Sequence, residues 1–346
     1  MKLFGILALL IGLIAGTLLI AHYGVGAVGS ALAAVGWVGF LAIVLLHLAI
    51  SALCGVAWWV LLPSSQRPGS WVFIWGRLVR DGGSELLPLS QLGGLVMGAR
   101  AASLAGLPGR VAAASSVVDA TMELLAQLAF AGLALAILAA LRPEAPFIRP
   151  VAIGLAAALA IAALLIVVQH RGVALLERIA ERLSRQWTST GRPTGGIQES
   201  IHRTYERGHG LAGGFLLHFI CWAAGAVEAW IALIFMGSSL GLAAVIAIEG
   251  LLYAARGMAF AVPAALGIQE GAYVVLGGLF GISPEVALAL SLLKRARSLL
   301  LGVPPLLLWQ VAEGRLLWRR RAAVPAEDGM DDAGEPVAIQ VPVDRA

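Results

Sequence analysis

Charged residues are scarce in this chain of 346 residues. Asp, Glu, Lys and Arg make up 13% of it, about half the share that is usual in soluble domains. Hydrophobic residues, by contrast, make up 60%. This composition excludes an ordinary soluble domain and indicates a protein embedded in lipid.

Cysteine and the common catalytic motifs are also scarce. The two cysteines, Cys54 and Cys221, lie inside apolar runs and are interpreted as packing residues rather than a disulfide or a metal site. The sequence lacks two histidines one helical turn apart, a Gly-x-Ser-x-Gly elbow and a P-loop. We therefore expect a protein that is not an enzyme and that needs no metal or cofactor.

Apolar runs of about 20 residues, the length that crosses a bilayer, are abundant. Two short or Gly-rich stretches, Leu240–Ala254 and Gly271–Ile282, are predicted to be partial helices. The expected fold is an all-α polytopic membrane protein with six to eight transmembrane helices. The six predicted spans are Leu3–Tyr23, Trp37–Leu61, Val111–Leu141, Val151–Val168, Leu211–Met236 and Glu285–Val311.

Basic residues near the ends of spans mark the cytoplasmic side of a membrane protein. They occur at Lys2, after the second span, throughout Arg171–Arg207 and after the last span, whereas residues 24–36 contain none. This pattern predicts that both termini are cytoplasmic. The residues after the second span are Arg67, Arg77 and Arg80.

The segment 170–210 contains "LLERIAERLSRQW", with leucines on one helical face and charges on the other. We interpret it as a cytoplasmic helix on the anionic inner leaflet, and we expect no nucleic-acid binding. Residues 322–346, rich in Pro, Gly and Asp, are predicted to be a disordered cytoplasmic tail.

The chain resembles itself at an offset of 175 residues, so that Gly106 lies over Gly281 and Pro88 over Pro263. The predicted domain, 1–321, contains repeat halves at about 37–141 and 212–315. The charge-based orientation makes corresponding spans run in opposite directions, which predicts an inverted repeat of the kind found in transporters.

One segment of each half combines proline and glycine, which weaken a regular helix. We predict that both segments are broken or re-entrant, an arrangement that often marks a transport site. The alternative is a pair of kinked helices packed in the bundle. The residues concerned are Pro88, Gly93 and Gly94 in the first half, and Pro263, Gly267 and Gly271 in the second.

A polar stripe interrupts the third span, where Ser115, Asp119, Glu123 and Gln127 follow one another at four-residue steps and share a helical face. The repeat places Lys294 over Asp119. An unpaired charge at the membrane centre costs at least about 2.5–3.5 kcal/mol, so we predict that these two residues face each other across the pseudo-axis.

The charges of the two halves are predicted to line one transport cavity. The alternative is a salt-bridge network that only locks the halves together. His47 and His218 are interpreted as packing residues. For Glu228 and Glu249 the sequence does not decide between a packing role and a functional role. The remaining candidates for the cavity are Glu85, Gln91, Arg100, Gln269, Glu270, Arg295 and Arg297.

Pro263, Gly267, Glu270 and Gly271, with Arg295 in the next helix, resemble a motif of the flippase-like integral membrane family. That family includes the transmembrane domain of lysylphosphatidylglycerol synthases. "LLPLSQLGG" and "VVDATMELLAQ" are most similar to its hopanoid-biosynthesis-associated branch. The first hairpin departs from the family in one place, because Leu95 stands where an acid is frequent, although the basic residue expected a few positions on is present as Arg100.

The resemblance implies a multi-pass protein of the bacterial cytoplasmic membrane that moves or handles lipids, with a hopanoid or a phospholipid as cargo. Partners in lipid biosynthesis are a further implication. An intramembrane lipid-modifying enzyme and a scaffold for a membrane-bound biosynthetic complex are the alternative functions.

Overall fold

The computed structural model describes residues 14, 17–19, 21–65, 67–86, 90–171, 201, 204–205, 208–258 and 265–322. Most of the predicted span Leu3–Tyr23, most of the amphipathic segment 170–210 and the tail after residue 322 lie outside these ranges. The helices of the described part are α1 (Val25–Val60), α2 (Trp71–Leu86), α3 (Ser90–Leu104), α4 (Gly109–Leu141), α5 (Ile148–Arg171), α6 (Gly208–Phe235), α7 (Leu242–Met258), α8 (Ile268–Leu279) and α9 (Pro284–Ala322).

Four of these helices, α1, α4, α5 and α6, are long and apolar enough to cross a membrane. α5 exposes Ile153, Ile161 and Leu164. Exposed side chains of this kind suit contact with lipid tails, since apolar surface is stable in hydrocarbon and costly in water. The protein is therefore a polytopic all-α membrane protein, as the composition predicts.

The chain divides into two compact units, Met1–Leu306 and Leu307–Ala346. In the first unit, one buried cluster contains Trp58, Phe73 and Val118 of α1, α2 and α4. A larger cluster contains residues of α6 to α9, with Leu233 and Leu252 fully buried. The described part of the second unit is helical and exposes Leu307, Leu308 and Val311.

α2 and α3 form a tight antiparallel hairpin. Gly76 lies against Ala102, and Gly83 lies against Gly94, so residue numbers rise along one helix as they fall along the other. The glycines allow this approach, because a Cβ on Gly94 would overlap the backbone of α2. Gly93 lies beside it on α3, and Pro88 is outside the described residues.

The second half contains a corresponding pair of short helices. α7 has 17 residues and α8 has 12. At 1.5 Å per residue they extend about 26 Å and about 18 Å, less than the roughly 30 Å of a hydrocarbon core. They are the partial helices expected from the sequence. Gly267 precedes α8 with a φ of 77°, Gly271 lies within it, and Pro263 is outside the described residues.

The 175-residue offset of the sequence recurs in the backbone. α3 ends at Leu104 and α8 at Leu279, while α4 begins at Gly109 and α9 at Pro284. Gly106 and Gly281 precede these long helices, both with positive φ, at 111° and 81°. The two halves are thus built on the same helix order. That they run in opposite directions through the membrane stays a prediction.

The helix crossings between the halves follow the same offset. A Cβ on Gly302 of α9 would lie 2.9 Å from the Cα of Gly82 of α2. The positions 175 residues away from these two are Gln127 of α4 and Gly257 of α7, and a Cβ on Gly257 would lie 3.3 Å from the Gln127 Nε2. Each hairpin therefore meets the long helix of the other half at an equivalent position.

Candidate functional site

A cavity of about 430 Å³ lies among the helices of both halves. α1, α2, α4, α6, α7 and α9 all contribute to its lining. Five cations line it, Arg77, Arg80, Arg256, Lys294 and Arg297, together with the carboxylates Asp81, Glu85 and Glu123 and the histidines His47 and His218. A charged cavity among membrane-spanning helices is a functional site by default, because each charge is costly there.

The charges of the first half form what we call the α4 network: Arg77, Arg80 and Asp81 of α2, Asp119 and Glu123 of α4, and His218 of α6. Arg80 Nη1 donates to Asp119 Oδ2 at 2.9 Å, and its Nη2 donates to Glu123 Oε2 at 2.6 Å. Arg77 donates to both Glu123 oxygens, at 2.7 and 2.9 Å. Bidentate pairing of this kind fixes both side chains.

Two further contacts complete the α4 network. The Nε of Arg77 lies 2.8 Å from Asp81 Oδ1, and Ser51 of α1 donates to Asp81 Oδ2 at 3.2 Å. His218 Nε2 lies 2.9 Å from Asp119 Oδ1. Asp119 is fully buried, so its charge depends on Arg80 and His218 rather than on water.

The charges of the second half form the α9 network: Glu228 of α6, Glu249 of α7, Lys294 and Arg297 of α9, and His47 of α1. Lys294 Nζ donates to Glu249 Oε2 at 2.6 Å, and Tyr273 of α8 donates to Glu249 Oε1 at 2.5 Å. Arg297 donates to Glu228 Oε1, while His47 Nδ1 lies 2.8 Å from Glu228 Oε2.

Each network includes a histidine from the opposite half of the chain. His47 of α1, the first helix of the first half, reaches an acid of the second half, and His218 of α6, the first helix of the second half, reaches an acid of the first. One ion pair also joins the hairpins directly, since Arg256 Nη2 donates to Glu85 Oε1 at 2.7 Å. Both of these side chains are 25% exposed, more than most charges of the site.

The predicted pairing of Asp119 with Lys294 is wrong. Asp119 accepts from Arg80 and His218, and Lys294 donates to Glu249, so each of the two charges pairs with an opposite charge of its own half and not with the other. Residues that a twofold repeat aligns meet only if they lie on the axis itself. Asp119 and Lys294 are aligned by the repeat but bind different partners.

Five of the predicted candidates line the cavity: Glu85, Glu123, Gln127, Lys294 and Arg297. Gln127 donates to the carbonyl oxygen of Tyr253 at 2.8 Å and so ties α4 to the end of α7. Gln269 instead donates to Ser291 Oγ at 2.8 Å, away from the lining.

Glu270 and Arg295 form a separate ion pair between α8 and α9. Arg295 donates to both carboxylate oxygens, at 2.7 and 3.0 Å, and Glu270 also accepts from the backbone N–H of Gly267 at the start of α8. The corresponding residues in the first half are Leu95 and Ala120, so this pair has no counterpart there. Arg100 lies on α3 outside the cavity lining, and the side chain of Gln91 is outside the described region.

Arg77 and Arg80, which the sequence analysis counts among the basic residues that mark the cytoplasmic side, lie on α2 and are buried in the α4 network. Arg67 does lie in the connection between α1 and α2. The histidines were missed because one histidine in an apolar run gives no signal by itself. Arg77 and Arg80 are three residues apart and share a helical face, as do Asp119 and Glu123, which are four apart, so the two pairs could have been matched.

Comparison with known proteins identifies the family of the chain. Searches among curated proteins and among solved structures found no match to the chain. The family model for the lysylphosphatidylglycerol synthase TM region matches residues 5–305, which include every residue of both networks. The chain belongs to the lysylphosphatidylglycerol synthase TM region family.

Proposed function

We propose that this protein moves a membrane lipid between the leaflets of the bilayer, with the lipid headgroup passing through the charged cavity. The observation that carries the proposal is that charged side chains from both halves line one cavity among membrane-spanning helices. A network that only locked the halves together would be more stable without an internal space, because buried ion pairs gain from close packing and full hydrogen bonding.

The volume and chemistry of the cavity suit a headgroup. About 430 Å³ falls within the roughly 300–1,000 Å³ of small-molecule sites. Guanidinium groups bind phosphate well, and the carboxylates can accept hydrogen bonds from hydroxyl groups. The apolar tails would stay in the bilayer beside exposed helix faces.

The cargo that we propose is a phospholipid or a hopanoid with a polar headgroup. Five cations and three carboxylates in the lining favour a headgroup with a phosphate or several hydroxyls over a bare polycyclic hydrocarbon. We place the protein in the bacterial cytoplasmic membrane, with partners among lipid-biosynthesis proteins.

The short helices of the two hairpins supply the moving parts in this proposal. Discontinuous helices at matching places in two halves are a common feature of transporters, and the Glu85–Arg256 pair joins the ends of α2 and α7. Separation of that pair would open the cavity between the hairpins. Its partial exposure lowers the energy that the separation costs.

We propose transport rather than catalysis. Asp119 and Glu123 are the pair that would have to serve as general acid and base. Both accept hydrogen bonds from guanidinium groups, at 2.6 to 2.9 Å, so their oxygens are already engaged in ion pairs and are not free to act on a substrate.

Reconstitution into phosphatidylcholine vesicles that contain a trace of fluorescent phosphatidylglycerol tests the function. The wild-type protein should make the inner-leaflet probe accessible to an impermeant quencher. Arg256→Gln should reduce the rate about tenfold or more, because Arg256, once separated from Glu85, would bind the headgroup phosphate through a charge-assisted hydrogen bond worth about 1.5–3 kcal/mol.

The matched control is Arg149→Gln, the same substitution at an exposed arginine on α5. It should leave the rate unchanged. Equal rates for wild-type protein, both variants and protein-free vesicles, repeated with a fluorescent hopanoid, would contradict the proposal.

The proposed orientation has its own test. Single cysteines at Ser184 and Gly334, in a protein without Cys54 and Cys221, should resist an impermeant thiol reagent added to intact cells. They should react after the cells are opened. Labelling from outside would place the termini on the other side.

A further inference from the structure

The charges of the cavity do not balance. Six carboxylates line it or bond to side chains that do, against the five cations listed above, as counted over the described residues. The undescribed ranges 87–89 and 259–264, beside the hairpins, contain no ionisable residue, and Arg295 with Glu270 adds one charge of each sign. The six are Asp81, Glu85, Asp119, Glu123, Glu228 and Glu249.

With both histidines neutral, the described residues of the site therefore carry one net negative charge. The excess lies in the α4 network, which has three carboxylates and two guanidinium groups. The α9 network is balanced, because Arg297 binds Glu228 and Lys294 binds Glu249. An uncompensated charge inside the membrane disfavours the folded protein by at least about tenfold. Binding of one proton would remove that charge.

His218 is the group placed to hold that proton. Its Nε2 lies 2.9 Å from Asp119, and since a carboxylate only accepts, this nitrogen carries a hydrogen in either protonation state. Its Nδ1 is buried and has no hydrogen-bond partner in the described part of the chain. The ring lines the cavity and is faced by Asp119 and Glu123 of α4 and by the thiol of Cys54 of α1. Arg80 of α2 binds both of these acids, but the α4 network still contains one more carboxylate than guanidinium groups.

His47 is differently placed. It is hydrogen-bonded to Glu228, which Arg297 already neutralises, and it is faced by the positive charge of Arg297 as well as by Asp81 of α2. The arginine opposes a second positive charge at this position. The two histidines therefore form a natural pair of test and control.

We propose that His218 is a proton-binding site of the transport cavity: its imidazolium balances the sixth carboxylate while the cavity is closed and releases the proton from Nδ1 to water when the cavity opens. Water lowers the cost of the remaining negative charge, because charge interactions weaken in a high dielectric. Lipid movement is then coupled to the proton gradient. This coupling rests on the proposed function, whereas proton binding by His218 does not.

Nitrogen NMR of the histidine rings in lipid nanodiscs tests the binding site. His218→Gln and His47→Gln assign the signals, since glutamine can still donate to the acid but cannot take up a proton. At about pH 7 the ring of His218 should be an imidazolium and that of His47 neutral. A neutral His218 at that pH would overturn the proposal. If His218→Gln does not fold, His218→Lys, which restores a fixed positive charge, provides the assignment.

Translocation assays in vesicles of phosphatidylcholine and phosphatidylglycerol test the coupling. A difference of one pH unit across the membrane is about a tenfold change in proton activity, and it should change the wild-type rate about threefold to tenfold. His218→Gln should remove this dependence, and His47→Gln should retain it. Movement of lipid without any dependence on the gradient overturns the coupling but keeps the proposed function. A titrating His218 without lipid movement overturns the function but keeps the proton site.

Discussion

In the first half of the molecule the hairpin supplies the cations and the long helix supplies the acids, whereas in the second half these roles are reversed. Arg77 and Arg80 of α2 bind Asp119 and Glu123 of α4. Glu249 of α7 binds Lys294 of α9. Helix ends, positive-φ glycines and helix crossings follow one offset in both halves, but the sign of the charges does not.

The reversal shows that the two halves join corresponding helices by ion pairs, α2 to α4 and α7 to α9, but do not keep the sign of the charge on each helix. The Coulomb attraction of a pair is the same in either direction. The surroundings of the cavity are not the same, since one half presents an excess of carboxylates and the other a balance. The difference between the halves can be tested by reversing one ion pair or by placing the residues of one half at the equivalent positions of the other.

The largest effect is expected from breaking the Lys294–Glu249 pair. Lys294→Gln or Glu249→Gln should each lower the free energy of unfolding by about 3–5 kcal/mol, because the remaining charge is buried without its partner. The double change should recover most of the loss. Denaturation in mixed micelles measures all three.

The same experiment checks the corrected pairing. Asp119→Asn with Lys294→Gln should show additive losses, since the two residues share no partner. The reversed pair Lys294→Glu with Glu249→Lys should stay folded and give the second half the polarity of the first. Recovery in the Asp119 and Lys294 double variant would restore the original prediction.

A smaller effect is expected at the two helix crossings. Gly82→Ala puts a Cβ 2.5 Å from the backbone oxygen of Gly302, and an overpacked contact of this kind costs about 1–3 kcal/mol. Gly257→Ala meets only the end of the Gln127 side chain at 3.3 Å, which can move. Thermal unfolding should therefore separate the two variants, and an equal loss at both would contradict the crossing geometry.

The smallest effect is expected when the second half is made to resemble the first at the Glu270–Arg295 pair. Glu270→Leu with Arg295→Ala copies Leu95 and Ala120. Replacing both members of a buried pair by apolar residues is often nearly neutral, although the cap that Glu270 provides at Gly267 is worth about 1 kcal/mol. Either single change should lower the free energy of unfolding more than the double change does. Unfolding in mixed micelles measures all three variants, and a larger loss in the double variant would contradict this expectation.

Much of the fold was predictable because its signals are local. A run of about 20 apolar residues predicts a span wherever it occurs, and proline with glycine predicts a break. The helix ends at Leu104 and Leu279 follow the offset read from the sequence. The family was predictable for the same reason, since its motif lies within a few residues around Glu270.

The pairing of charges was not predictable in the same way. Arg80 and Asp119 are 39 residues apart, and His218 and Asp119 are 99 apart. The packing of the helices decides which acid binds which cation. An alignment of two repeats gives no distances between residues, so it cannot predict these pairs. Arg77 and Arg80 were misinterpreted because an arginine close to a span has the same sequence signal whether it faces water or a carboxylate.

A headgroup-labelled photoreactive phosphatidylglycerol tests the central claim, that the charged cavity receives a lipid headgroup, most directly. After irradiation of the protein in vesicles, mass spectrometry locates the modified residues. We expect modification of the cavity lining, at residues such as Leu78, Leu124 and Trp222, and its loss in Arg256→Gln but not in Arg149→Gln. Modification confined to exposed side chains such as Leu164 of α5, with an unmodified lining in the wild-type protein, would contradict it.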